Sequence, residues 1–437
     1  MSDISASKSK TTLLSELRKL ANTPITVAVF LELELYLVTG SCFLHSFGMP
    51  TTINDILCFF NLALLVVSLK KMARVFNRHP VVACLGAVLL TYSIWSAVHN
   101  GISPLSAFWQ FITFSRPFVY GFLALSYWDI DKFDAAFHRL VGLQWINAAC
   151  EAFQFLVLGL DQDLVGGMFG SWLACNLPLN IYLCVVTAAM FSAYLNRHWN
   201  VNAQVLIASC LCSLCVAAVA ELKFFYLEFV LILACAFLLC RPTLKKIALV
   251  LFALLMLVIG FSLFSSVFPE RAANMLDFDT LYGEANLRGA GYPISRIEVY
   301  KDLGEIVFSF NPLQQFVGLG LGASANSSIA IFTSPIAVFY ANYKFGLLQS
   351  VLLCVDIGYI GTALYIGLLV SFGAVAWINR AENRFLSLFS IIVIALFIVN
   401  IYYNNTASSS NSIFWALPLV CSFSLPSKIT KARNSDK

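Results

Sequence analysis

Most of the chemistry the sequence offers lies in one hydrophilic stretch, where Arg288, Arg296, Glu298, Tyr300, Asp302 and Glu305 follow one another closely. Gly291-Tyr292-Pro293 leads into a helix there. Ser295 fits as its N-cap, Glu298 three residues later completes a capping box, and Asn311-Pro312 stops it. A helix N-terminus attracts anions through its unpaired N–H groups and its dipole. Arg296 in the first turn adds a planar donor fork suited to phosphate, and Tyr300 lies one turn further on. Glu298, Asp302 and Glu305, at i, i+4 and i+7, share a face and are the nearest carboxylates able to take a proton from a hydroxyl. Ile297, Tyr300, Leu303, Ile306, Val307 and Phe310 form an apolar face for the membrane surface or the ends of spans. The competing reading makes Arg271, Arg288 and Arg296 solvated charges paired with Glu284, Glu298 or Asp302.

Other charges lie within or beside apolar runs. Glu221 and Lys223 occupy a short turn, with Glu228 below them. Lys223 there could join the loop arginines around a lipid phosphate or pyrophosphate, or could simply snorkel at headgroup level. Arg116 sits mid-run beside Pro117, at a cost of roughly 2.5–3.5 kcal/mol on insertion scales. It must face the interior, as a structural charge for which Glu151 in the next run is a candidate partner. Glu32 and Glu34 are two residues apart and point to different faces, so at least one needs a partner. Gly318, Gly320 and Gly322 have no strand-to-helix unit around them and do not form a nucleotide fingerprint. They read as a flexible connection. The Asp-x-Asp pairs at Asp161/Asp163 and Asp277/Asp279 are isolated, and no metal site or cofactor is expected.

These residues depend on long apolar runs for their placement. Of 437 residues, 59% are hydrophobic and 11% charged, against about 25% charged in a soluble domain. The fold class implied is all-α, a polytopic helical bundle of about twelve spans. They are expected near 24–44, 51–69, 80–98, 105–127, 140–160, 171–195, 201–220, 224–240, 247–268, 345–378, 385–403 and 412–425. The 345–378 run is too long for one simple crossing and is expected to hold a tilted helix preceded by a short re-entrant or surface piece. The organisation that follows is an N-terminal tail (1–23), nine spans (24–268), a large outer loop (269–332), three spans (333–425) and a C-terminal tail (426–437). Of the 27 Lys and Arg residues, twenty fall on one side of this arrangement and six on the other, with Arg116 inside. The positive-inside rule therefore places both termini in the cytoplasm. The 13 cysteines fall almost entirely in apolar runs and read as packing residues, not disulfides.

The pattern resembles the O-antigen polymerase and ligase family of bacterial inner membranes. The resemblance rests on many spans, one large periplasmic loop, Ser295-Arg296 with Tyr300, then Asn311-Pro312 and Gly318 to Gly322, and Lys344-Phe345-Gly346 opening a span. Lys223 stands where the family has an earlier outer-turn Arg. Ligases of the family carry a His shortly before the Gly of the following span. This chain has Ser334-Pro335 near that place, and its five His (His45, His79, His99, His138 and His198) all lie elsewhere. Polymerase is thereby favoured over ligase. The resemblance implies glycosyl transfer at the periplasmic face between undecaprenyl-pyrophosphate-linked donor and acceptor glycans. Lys223, Arg288 and Arg296 would stabilise the departing pyrophosphate. Membrane lipids and a chain-length regulator are the other implied partners, with no nucleic acid. The alternatives are an O-antigen ligase and a polysaccharide flippase or transporter.

Overall fold

The computed structural model describes residues 24–50, 52–240, 244–267, 269, 272–273, 298–327, 329–341, 346, 348–405, 407–421 and 423. Arg271, Arg288, Ser295, Arg296, Lys344 and both tails lie outside the described residues. Those described form helices and turns, with no strand among them.

A helix lies in each of the twelve expected spans. The first nine are α1 (Pro24–His45), α2 (Thr52–Arg78), α3 (Pro80–His99), α4 (Pro104–Tyr127), α5 (Ile130–Leu156), α6 (Asn176–Asn196), α7 (Ala203–Val219), α8 (Lys223–Leu239) and α9 (Leu244–Val267). Three short helices follow: α10 (Val299–Ile306), α11 (Pro312–Val317) and α12 (Pro335–Phe339). Then come α13 (Gln349–Ile378), α14 (Arg384–Tyr403) and α15 (Ile413–Cys421). Six of them, α1, α2, α3, α6, α13 and α14, are long and apolar enough to cross a membrane.

Local signals start these helices where the sequence changes character. Pro80 and Pro104 take first-turn positions that need no backbone donor. Asp129, Asn202 and Asn383 cap α5, α7 and α14 by accepting Lys132 N at 3.0 Å, Val205 N at 2.8 Å and Leu386 N at 3.0 Å. The core forms around α6 and α14. α6 is buried over nearly its whole length, and α14 packs against α6, α8, α13 and α15. α3 instead turns Val81, Val88, Ile94 and Val98 outward. Hydropathy alone cannot separate the two situations, because lipid tails are as apolar as a core.

Two expectations change here, and a third, the Ser295–Glu298 capping box, falls on Ser295, outside the described residues. The described loop helix starts at Val299, with Glu298 at its N-cap position and making no side-chain cap bond. α10 ends at Ile306, before Asn311-Pro312, which instead begins the next helix: Asn311 Oδ1 accepts Leu313 N at 3.1 Å to cap α11. The long run from 345 is resolved by a break. α13 is interrupted at Gly358, which has φ 63° and ψ −170°. Only glycine enters that backbone region readily.

Candidate functional site

The break in α13 frees backbone carbonyls inside the bundle, and the glycine-rich stretch takes them up. Leu319 N donates to Val355 O at 2.7 Å and Gly320 N to Asp356 O at 3.0 Å. From the other side, α3 offers Tyr92 Oη to Phe316 O and Ser96 Oγ to Val317 O, both at 3.1 Å. Gly318 and Gly322 have φ of 83° and 98°. A Cβ on Gly318 would lie 2.5 Å from Gly358 N, and one on Gly322 2.6 Å from Ala107 N. The stretch expected to be a flexible connection is therefore a packed insertion, buried from Gly320 to Ala325. Irregular backbone at such depth persists where it is enclosed in protein or lines a cavity.

Here it does both. The Asp356 carboxylate is fully buried and accepts Ser324 N at 2.7 Å and Ser324 Oγ at 2.9 Å. Gln110 Nε2 on α4 donates to the same Ser324 hydroxyl at 3.0 Å. Trp109 Nε1 reaches Asn326 O at 3.2 Å, and its ring stacks on Phe332 at 5.3 Å. Asp356 thus fixes the loop that walls a polar cavity of roughly 670 Å³.

One face of α4 supplies Trp109, Gln110, Thr113 and Arg116 to this cavity. Asn54 and Asp55 from α2, Ser324, Asn326 and Thr333 from the loop, and Tyr340, Asn405 and Ser408 complete its polar lining. Arg116 Nη2 donates to Asp55 Oδ1 at 3.2 Å. Its Nε finds no hydrogen-bond partner among the described residues. Glu34, held by Asn61 Nδ2 at 2.6 Å, lies within reach of the Arg116 charge. The opposite face of α4, with Phe111, Phe114, Phe118 and Phe122, borders an apolar groove of roughly 380 Å³.

Of the residues expected to act, those described fall elsewhere. Arg288 and Arg296 lie outside the described residues. Glu298 pairs with Lys301 at 3.5 Å, and Glu305 is exposed. Asp302 is fully buried, so the three carboxylates do not share an accessible face, and none of them lines the cavity. Lys223 pairs with Glu221 at 3.4 Å and lines a second polar pocket with Asp163, Asn180, Tyr403 and Asn404. Tyr300 packs edge-on to Tyr359 at 5.5 Å and Tyr402 at 6.5 Å, while Phe224 stacks on Tyr403. Tyr300 and the Lys223 turn therefore meet the same end of α14.

The intramembrane charges also pair differently. Arg116 takes Asp55, not Glu151. Glu151 is buried and accepts Asn147 Nδ2 at 2.6 Å. With Gln154 it completes a polar stripe on α5 that holds the Gly166–Gly170 turn, where Met168 N donates to Asn147 Oδ1 at 3.0 Å and Gly167 N to Gln154 Oε1 at 2.7 Å. Glu32 accepts Lys132 Nζ at 2.5 Å and Arg139 Nε at 2.7 Å, so both acids of α1 find partners.

Sequence reasoning missed Asp55, Gln110, Ser324 and Asp356. One signal for Asp55 was present. It is an acid in the first turn of an apolar run, and Arg116 in another run needed one. No protein-family description matches this chain, and no curated protein matches it either.

Proposed function

We propose that this chain is a membrane glycosyltransferase that extends a lipid-pyrophosphate-linked glycan in the cavity around Arg116 and Asp55. The observation that carries the reading is the cavity itself. It is lined by amide and hydroxyl groups, by Trp109 and Tyr340, and by an Arg–carboxylate pair in which Arg116 is buried and Asp55 is half-buried. Such a lining can hydrogen-bond sugar hydroxyls. The apolar groove on the other side of α4 suits the lipid part of such a substrate.

In this reading Asp55 takes the proton of the acceptor hydroxyl as that oxygen attacks the donor's anomeric carbon. The bond from that carbon to the pyrophosphate oxygen breaks, and the pyrophosphate leaves with the electron pair. A neutral Asp55 no longer offsets Arg116, so the guanidinium charge becomes available as negative charge grows on the leaving group. This moves the base from Glu298, Asp302 and Glu305 to Asp55. Arg288 and Arg296 remain candidates to bind pyrophosphate, as the family resemblance implies.

The test is a deletion strain complemented with wild type or with Asp55→Asn, with surface polysaccharide run on a gel beside an immunoblot of membranes. Asp55→Asn keeps an amide oxygen for Arg116 to bond, with Glu34 in reach of its charge, and is expected to reach the membrane in reduced amount and to give single repeat units in place of a ladder. A full ladder from that variant would remove Asp55 from the reaction.

A second reading has its own support. A broken helix facing a polar cavity is how many transporters hold a substrate, so a polysaccharide flippase fits the Gly358 break. Purified protein given both lipid-linked substrates in detergent separates the two, since a flippase forms no new glycosidic bond.

A further inference from the structure

We infer that the second polar pocket, which Lys223 lines at the end of α14, is a saccharide subsite holding an earlier unit of the glycan whose last unit lies in the Arg116 cavity. The identity of that ligand rests on the proposed glycan transfer. The pocket is roughly 360 Å³, within the range of small-ligand sites. Asn176 and Asn180 from α6 line it together with Asn404, Asp163 and Glu221. Carboxamides offer a donor and an acceptor side by side, and carboxylates accept, a set that matches neighbouring sugar hydroxyls. Phe224 and Tyr403, both in the lining, stack with ring centroids 3.6 Å apart. They add apolar surface on which the C–H groups of a sugar ring can pack.

The charge balance argues against an anionic ligand. Lys223 is paired with Glu221 at 3.4 Å, and Asp163 brings a second carboxylate. Among the described residues no arginine lines the pocket. A pyrophosphate would therefore meet an excess of negative charge and no planar donor fork. A neutral polyhydroxylated group meets neither obstacle, and its recognition falls to the carboxamides, not to Lys223.

The position of the pocket says which glycan it holds. Asn404 lines it, and the next residue, Asn405, lines the Arg116 cavity. Consecutive Cα atoms are about 3.8 Å apart, so the two pockets lie on either side of one stretch of backbone. That stretch is held in place. Gln349 N donates to Asn404 O at 3.1 Å, and Ser408 N and Oγ donate to Gln349 Oε1 at 3.1 and 2.7 Å. Asn405 Nδ2 donates to Gly346 O at 2.6 Å. Gln349 itself is fully buried. A glycan of two or more repeats can cross this rim and occupy both pockets, whereas a single repeat occupies one.

The test uses the full-length protein in nanodiscs. The probes are one- and two-repeat oligosaccharides, freed by mild acid from the strain's own lipid carrier and separated by size. The wild-type protein is expected to bind the two-repeat probe about tenfold more tightly than the one-repeat probe, equivalent to about 1.4 kcal/mol. Asn176→Ala combined with Asn404→Ala should remove most of that difference and shorten the ladder in cells at normal abundance. Asn180, which bonds the buried Glu228, is left intact. Equal wild-type affinity for the two probes would overturn the subsite, even if the double variant fails to accumulate. A full-length ladder from the double variant would overturn it as well. Bond formation by purified wild-type protein is scored separately. A protein that forms glycosidic bonds but does not distinguish the probes loses only the subsite, and one that distinguishes them without forming bonds keeps the subsite and loses the transferase reading.

Discussion

The two polar pockets differ in how their charges are satisfied. Arg116 lies in the middle of α4, and its carboxylate comes from Asp55 on another helix, 61 residues away in sequence. Lys223 opens α8, and its carboxylate comes from Glu221, two residues earlier in the same turn. A charge at depth has neither water nor local backbone to rely on, so it must recruit from other helices. That recruitment brings α2, α4 and the loop after α11 to one place and makes a cavity. A charge at a helix end can find a partner within its own turn, as Lys223 does in Glu221. Depth and long-range pairing together mark the Arg116 cavity as the stronger candidate site.

The largest effect should come from the backbone that walls the cavity. A Cβ on Gly358 would meet Phe316 O at 2.3 Å and Gly318 N at 2.5 Å, in a conformation that itself costs roughly 1–2 kcal/mol for other residues. Gly358→Ala should cost several kcal/mol by these terms and sharply reduce membrane accumulation. Gly367→Ala, on the same helix with nothing within 4 Å of its Cβ, should accumulate normally. Equal immunoblot signals for the two would show that the break is not needed.

Arg116→Ala comes next. It leaves Asp55 and Glu34 without their cation. Breaking a buried pair costs about 3–5 kcal/mol, and the low end applies because the Asp55 side chain is 27% exposed. Its thermal midpoint in nanodiscs should fall, and adding Asp55→Ala should recover part of the loss. If the double variant is no more stable than the single, the pair is not coupled as the geometry indicates.

Arg116→Lys should do less. Lysine keeps the charge and holds the carboxylate but lacks the planar fork. Normal abundance with shortened polysaccharide is expected on a gel. Wild-type polymer length would mean that only charge is required at this position.

The smallest effect should follow Lys223→Ala. Pairs that retain some solvent contact are worth about 0–1 kcal/mol, so accumulation and polymer length should change little. Loss of polymer from a normally accumulating Lys223→Ala protein would reverse the comparison and make the second pocket the reaction site.

Much of the architecture was legible in the sequence because it depends on local physics. Apolar length placed helices at all twelve expected positions. The excess length after residue 345 ruled out one simple crossing, although a buried break at Gly358 stands in place of the expected re-entrant or surface piece, and of Glu32 and Glu34, at least one of which needed a partner, both have one. The site was less legible. Asp302 was placed with Glu298 and Glu305 by spacing, yet it is buried, because rotation of α10 against its neighbours decides which face is covered. Glu151 was a plausible partner for Arg116 by proximity in sequence, but it faces the Gly166–Gly170 turn instead.

The sequence by itself determined the all-helical, membrane-type character of the chain and the places where charge would be expensive, since both follow from the solvation of single residues and runs. Only the tertiary structure decided that Asp55 meets Arg116, that Gly318 to Gly322 insert against a broken helix, and that Glu228 gathers Asn180 and Asn400. Those pairings depend on the rotation and neighbours of each helix. In a bundle where core and lipid are equally apolar, no hydropathy pattern encodes them.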